Sequence, residues 1–137
     1  MGEKEEMIGV SPEEKKIIGQ IEFRTANESE LIKQQESASG DLGAKMSDFE
    51  ESVEILSTSN PDAFKTVNKA MQNIKDCINK NKSIDKYVKT IGKVKACSSW
   101  VEEGGCVKEV EKKYGIYKEK AKDVADNQIE INNLRKN

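Results

Sequence analysis

The stretch NPDAFKTVNKAMQNIKDCI, residues 60–78, decides the fold class predicted for this chain. Its large apolar residues recur at alternating steps of three and four, which places them on one face of an α-helix. They are Phe64, Val67, Met71, Ile74 and Ile78. Asn60 followed by Pro61 is typical of a helix start, because asparagine can cap the first turn and proline suits the first helical position. The stretch therefore predicts an amphipathic helix that begins at Pro61.

Similar apolar spacing on both sides of this stretch predicts further helices. Upstream, Ser11 is expected to cap a first helix that runs to about Ser37, where the glycine-containing segment SASGDLG should break it. A second helix should then present Leu42, Met46, Phe49, Val53 and Leu56. Downstream, Ser83 is expected to cap a fourth helix that reaches Val101. A fifth helix of about 30 residues should follow the Gly-Gly pair.

The composition indicates one folded all-α domain. The chain has 137 residues, of which 35% are hydrophobic and 35% charged, and a domain of this size can bury a core. No segment alternates with the period of two expected for a strand, and none has the apolar length of a membrane span. We predict an antiparallel bundle of four to five amphipathic helices over residues 11–137, preceded by a flexible charged arm over residues 1–10.

The chain contains no histidine, and this narrows the chemistry that it can perform. Histidine is the usual general base near neutral pH, the partner of nucleophilic serine and cysteine, and the commonest ligand of transition metals. Three cysteines alone are too few ligands for a structural zinc site. We therefore predict a non-enzymatic protein with no catalytic residues, no metal site and no cofactor.

The cysteines predict one structural disulfide. The segment CSSWVEEGGC, residues 97–106, contains the only tryptophan and a Gly-Gly pair, and it joins the fourth and fifth predicted helices. Cys77 should lie at the opposite end of the bundle, roughly 20 Å away along the fourth helix, which is too far for a bridge. We therefore expect a Cys97–Cys106 bridge, with Trp100 packed at the corner. Three free thiols are the alternative.

The expected Cys97–Cys106 disulfide also predicts where the protein is located. A disulfide implies an oxidising environment, so it favours a secreted, extracellular protein. Two N-x-S sequons, at Asn27 and Asn81, point the same way and are candidate glycosylation sites. A cytoplasmic protein with reduced cysteines is the alternative.

A lysine stripe on the fourth predicted helix is the candidate partner-binding surface. Its members are Lys82, Lys86, Lys89 and Lys93, and Trp100 is a further candidate contact. Residues 61–100 hold nine basic and three acidic side chains. Such a surface suits a protein partner, an acidic surface or an acidic glycan, and the competing interpretation is an ordinary solvated face. We expect no nucleic-acid partner, because the net charge is −2 and this region lacks arginine.

A second candidate site is apolar. Its residues are Met46, Phe64, Met71, Tyr114 and Tyr117. They could line a cavity for a small apolar ligand or lipid between helices, although ordinary core packing produces the same spacing. The sequence thus supports three hypotheses: a secreted module that binds a macromolecular partner through charged helix faces, a carrier of a small apolar ligand, and an intracellular adaptor with reduced cysteines.

Overall fold

A computed structural model describes residues 10–136 of the chain. The helices are α1 (Pro12–Ser59), α2 (Pro61–Asn79), α3 (Asp85–Gly92), a 3₁₀ helix (Lys95–Val101) and α4 (Cys106–Lys136). These elements confirm the predicted all-α class, and their number agrees with the predicted four to five helices. The predicted charged arm lies outside the described residues except for Val10. Within residues 10–136, no helix combines the length and the apolar character needed to cross a membrane.

Two predicted helix starts are confirmed by side-chain caps. The backbone N–H of Glu14 donates to the Ser11 hydroxyl at 3.1 Å. The N–H of Ala63 donates to the Asn60 side-chain oxygen at 3.2 Å, with Pro61 at the first helical position. Each cap satisfies one of the backbone donors that a helix leaves free at its start.

The predicted break at SASGDLG is wrong, because α1 runs through this segment without interruption. Two of its residues, Ala38 and Leu42, are buried together with Phe49, so the apolar stripe continues across the glycines. A Cβ added at Gly40 or Gly43 would meet no atom within 4 Å, so neither glycine is needed for close packing. Burial of Ala38 and Leu42 outweighs the roughly 1 kcal/mol that each glycine costs a helix.

The end of α2 is closed by a Schellman turn. Asn81 has a left-handed backbone with φ of 56°. The N–H of Lys82 donates to the Cys77 carbonyl at 2.8 Å, and the N–H of Asn81 donates to the Ile78 carbonyl at 3.2 Å. Glycine or asparagine is favoured at the left-handed position of this motif, which explains why the helix can stop here without a glycine.

The predicted fourth helix is two elements rather than one. α3 ends at Gly92, Val94 is extended with φ of −78° and ψ of 117°, and the 3₁₀ helix follows. A Cβ at Gly92 would come within 3.0 Å of the Val101 side chain, so the two elements pack closely at the glycine. This return of the chain onto Gly92 explains the break, since one straight helix would keep the two residues apart.

Contacts group the described residues into two compact units. The first contains α1 up to Gln35 and α4 from Lys120. Here Ile131 is buried and the Asn127 side-chain amide donates to the Arg24 carbonyl at 3.0 Å. Several large apolar side chains of this unit are nevertheless exposed, namely Phe23, Ile32 and Ile129. The buried core of this unit is therefore thin.

The second unit, Glu36–Glu119, contains the main core. The end of α1, the helices α2 and α3, the 3₁₀ helix and the start of α4 all contribute to one apolar cluster. Its completely buried members are Phe49, Val53, Val67, Ile74, Ile91, Cys97, Val107 and Val110. The candidate partner-binding residues predicted from the sequence lie between Lys82 and Trp100, so they all belong to this unit.

Candidate functional site

The predicted Cys97–Cys106 disulfide is not supported, because no two cysteines lie at disulfide distance and all three thiols are free. Cys97 is completely buried within the core. Cys106 begins α4, and its thiol lies beside the Ser52 side chain of α1. The two thiols therefore lie near each other but have different neighbours and do not form the bridge that their spacing in the sequence would permit.

Burial also sets the chemistry of these thiols. It raises the pKa of Cys97, with a smaller contribution from nearby Cys106. It raises the pKa of Cys106 as well, against the opposing hydrogen bond from Ser52. A raised pKa keeps a thiol protonated near neutral pH, and the thiolate is the reactive form. Burial therefore favours the neutral thiol form of both cysteines.

Trp100 packs at the corner between the 3₁₀ helix and α4. Its ring is half-buried and meets Phe49 edge-on, with ring centroids 6.4 Å apart and planes at 87°. Gly104 has φ of 84°, and Gly105 lies directly against the Trp100 backbone. Trp100 thus belongs to the core packing, and only part of its surface is open to a partner.

Tyr114 links α4 to the loop that follows α2 through a hydrogen bond. Its hydroxyl donates to the Lys82 carbonyl at 2.7 Å and approaches the Cys77 carbonyl at 3.5 Å. The ammonium group of Lys118 lies 4.8 Å from the centre of its ring. The side chain is buried, and burial raises the pKa of the phenol. Tyr114 therefore anchors the residue at which the lysine stripe begins.

Replacing Tyr114 with phenylalanine should lower the free energy of unfolding by about 1–2 kcal/mol, because the Lys82 carbonyl loses its partner. The raised pKa of Tyr114 adds a pH dependence. The contribution of Tyr114 to the free energy of unfolding should be complete below the pKa of about 10 that tyrosine has in the unfolded chain. It should be lost as pH rises through the higher pKa of Tyr114 in the folded protein. Urea denaturation between about pH 8 and about pH 11 measures both effects.

The half-buried Tyr117 provides the control for this experiment. No hydrogen bond of its hydroxyl occurs within residues 10–136, so Tyr117→Phe should cost less. It should keep most of the alkaline loss of the wild type, because burial is the largest cause of the raised Tyr114 pKa and the Tyr117 charge is a smaller one. A Tyr114→Phe variant with the same alkaline loss as the wild type would contradict the role given to Tyr114.

The five residues predicted to line an apolar cavity take part in core packing. Met71 and Tyr114 are buried members of the core cluster, and Met46, Phe64 and Tyr117 are partly buried and pack against that cluster. Of the three clefts described in residues 10–136, none is lined by any of the five. The carrier hypothesis stays a prediction without a cleft to support it.

All four lysines of the predicted stripe are exposed. The stripe is shared between the loop before α3 (Lys82), the helix itself (Lys86 and Lys89) and the residue that follows it (Lys93). In the described part of the chain, none of these ammonium groups has a carboxylate within 4 Å. The α2 residue Lys75, by contrast, pairs with Glu50 at 2.9 Å. The stripe therefore presents four exposed ammonium groups that form no ion pair within the described residues.

A groove of about 380 Å³ lies beside the stripe, between α2 and α3. Its polar lining consists of Lys65, Thr66, Lys69 and Asn73 from α2 and Tyr87 and Thr90 from α3. Sequence reasoning missed this groove because it depends on the pairing of two helices. The available signal was the spacing of Lys65, Lys69 and Asn73 at steps of four, which places them on one face of α2.

The two candidate glycosylation sites are both exposed. Asn27 lies within α1, whereas Asn81 occupies the Schellman turn after α2. Their modification stays a prediction. No group of three or more cysteine, aspartate or glutamate side chains within residues 10–136 is placed to hold a metal ion.

No protein family, curated protein or solved structure matches this chain. We therefore infer function from the charges and clefts of the chain itself.

Proposed function

We propose that this protein is a non-enzymatic module that binds an acidic macromolecular partner through the lysine stripe. The observation that supports the proposal is the exposure of all four stripe lysines without a carboxylate partner in residues 10–136. Neighbouring positive charges raise the local potential, which attracts and orients an acidic partner. The whole chain carries a net charge of −2, so this attraction should be specific to the stripe rather than general.

The side-chain chemistry agrees with a binding role. The chain has no histidine, and burial raises the pKa of Cys97 and Cys106, which keeps these thiols neutral. We retain an extracellular location as part of the proposal on the two sequons, Asn27 and Asn81. The free thiols remove the stronger argument for secretion, since that argument depended on the disulfide.

Reversing the charge of the stripe tests the proposal. The variant Lys82→Glu, Lys86→Glu, Lys89→Glu, Lys93→Glu should bind immobilised poly-glutamate and heparin roughly tenfold more weakly than the wild type, or weaker still, because attraction becomes repulsion. Wild-type binding should itself weaken between about 50 mM and about 300 mM salt, since salt screens exposed charges. Surface plasmon resonance at both salt concentrations measures these effects.

A matched control separates the stripe from the overall charge. It reverses four exposed lysines of the first unit, namely Lys15, Lys16, Lys33 and Lys122. Both variants change the net charge equally, so only the stripe variant should lose most of its affinity. Equal losses in the two variants, or no binding by the wild type to either polymer, would show that the proposal is wrong.

A further inference from the structure

The groove between α2 and α3 carries positive charge that no lining residue offsets. Lys65 and Lys69 line its α2 wall, and no carboxylate lines it. The other two clefts described in residues 10–136 differ, because Glu130 lines one of them and Glu51 and Glu54 line the other. Neither groove lysine has an ion pair in the part of the chain that the structure describes. Among these clefts, this one alone is lined by lysines without a carboxylate.

A third ammonium group lies close to this groove. Lys86 Nζ is 5.7 Å from the centre of the Tyr87 ring, and Tyr87 lines the α3 wall. Lysine is a mobile point charge that meets an anion without requiring the planar geometry of a carboxylate. Two such groups in the groove wall and a third beside the Tyr87 ring suit a ligand with several separate anionic groups.

The uncharged lining adds hydrogen-bonding capacity. Within residues 10–136, the side chains of Thr66, Asn73 and Tyr87 have no protein hydrogen-bond partner, so their polar groups are available to a ligand. The Thr90 hydroxyl already donates to the Lys86 carbonyl at 3.0 Å, which leaves its oxygen as an acceptor. Hydroxyl and amide groups both donate and accept hydrogen bonds, as sugar hydroxyls also do.

The combination favours a sulfated sugar over an acidic peptide. Sulfate esters remain ionised at neutral pH and can pair with the lysines, while the ring hydroxyls can bond to the neutral polar groups. An acidic peptide such as poly-glutamate supplies carboxylates for the lysines but no ring hydroxyls for the neutral polar groups. A volume of about 380 Å³ lies within the usual range of small-ligand sites.

We propose that the α2–α3 groove binds a sulfated sugar unit of an acidic glycan. Lys65, Lys69 and Lys86 hold the sulfate esters. Thr66 and Asn73 bond to the ring hydroxyls, and the rest of the glycan continues along the lysine stripe. This inference rests on the proposed function, because it specifies the acidic partner that the stripe attracts.

Isothermal titration calorimetry with a heparin-derived sulfated tetrasaccharide tests the groove. Lys69→Glu should weaken binding roughly tenfold, because it reverses a charge that lines the groove. Lys89→Glu makes the same charge change on α3 outside the groove lining, and should weaken binding about threefold at most. Thr66→Val removes one hydroxyl without changing charge. It should weaken tetrasaccharide binding about threefold or more and leave poly-glutamate binding unchanged.

The outcomes separate this inference from the proposed function. Equal losses of tetrasaccharide affinity in Lys69→Glu and Lys89→Glu would contradict binding in the groove. They would not contradict binding by the stripe. The ligand would not be a sulfated sugar if a desulfated tetrasaccharide bound equally well, or if inositol hexakisphosphate bound more tightly than the sulfated tetrasaccharide. Loss of tetrasaccharide binding in Lys69→Glu would support the groove even if stripe reversal left poly-glutamate binding unchanged, a result that would contradict the proposed function.

Discussion

Replacing Gly105 with alanine is expected to destabilise the protein by about 3 kcal/mol or more. A Cβ at this position would lie within 2.5 Å of the carbonyl carbon and oxygen of Trp100 and of the Ser99 carbonyl oxygen. All three are backbone atoms, which cannot rotate away as a side chain can. The alanine can be accommodated only if the corner between the 3₁₀ helix and α4 moves. Urea denaturation followed by far-UV circular dichroism measures the loss.

The neighbouring glycine provides the matched control. Gly104 has φ of 84°, but a Cβ there would meet no atom within 4 Å. Gly104→Ala should therefore cost only about 1–2 kcal/mol, from backbone strain alone. Trp100 is the only tryptophan, so its fluorescence should also change in Gly105→Ala and stay close to the wild type in Gly104→Ala. Similar losses in the two variants would refute the close approach as the cause.

The sequence predicted the helices wherever local signals and packing agree. The spacing of apolar residues in α2 and the cap at Asn60 are both local, and both were found as predicted. The signals failed where distant packing opposes them. Gly40 and Gly43 indicate a break, but burial of Ala38 and Leu42 keeps α1 continuous. Local propensity is a weak guide when tertiary contacts compete with it.

Two other errors have the same origin. α3 stops at Gly92 because the chain folds back and places Val101 against this glycine. No local pattern in the sequence reveals that contact. The ten-residue spacing of Cys97 and Cys106 permits a disulfide, but Cys97 is buried in the core and the Cys106 thiol is hydrogen-bonded to Ser52. Sequence spacing limits which cysteines can meet, and the packing decides whether they do.

One part of the candidate site could be predicted from the sequence and another part could not. The lysine stripe could be recognised because exposed positions alternate with buried ones along a helix, so that Lys86 and Lys89 are placed away from Val88 and Ile91. The groove could not be found from one helix, since Lys69 and Tyr87 become neighbours only when α2 packs against α3.

Replacing Phe49 with alanine should have the largest effect on stability, a loss of about 3–5 kcal/mol. The side chain has no exposed surface, and its ring supports the edge of Trp100 at a centroid distance of 6.4 Å. Alanine would remove this aromatic pair and leave a cavity in the cluster shared by all the segments of the second unit. Chemical denaturation measured through Trp100 fluorescence and circular dichroism would show both the loss of stability and the change at the corner.

Two variants test whether burial of Phe49 causes the loss of stability in Phe49→Ala. Phe49→Leu keeps most of the apolar volume and should cost only about 1.5 kcal/mol. Phe23→Ala makes the same chemical change at a side chain that is 68% exposed, and it should stay within about 0.5 kcal/mol of the wild type. A loss in Phe23→Ala equal to that in Phe49→Ala would contradict this assignment of the core. Domains have only about 5–15 kcal/mol of stability, so Phe49→Ala should also weaken partner binding by unfolding the scaffold that presents the intact lysine stripe.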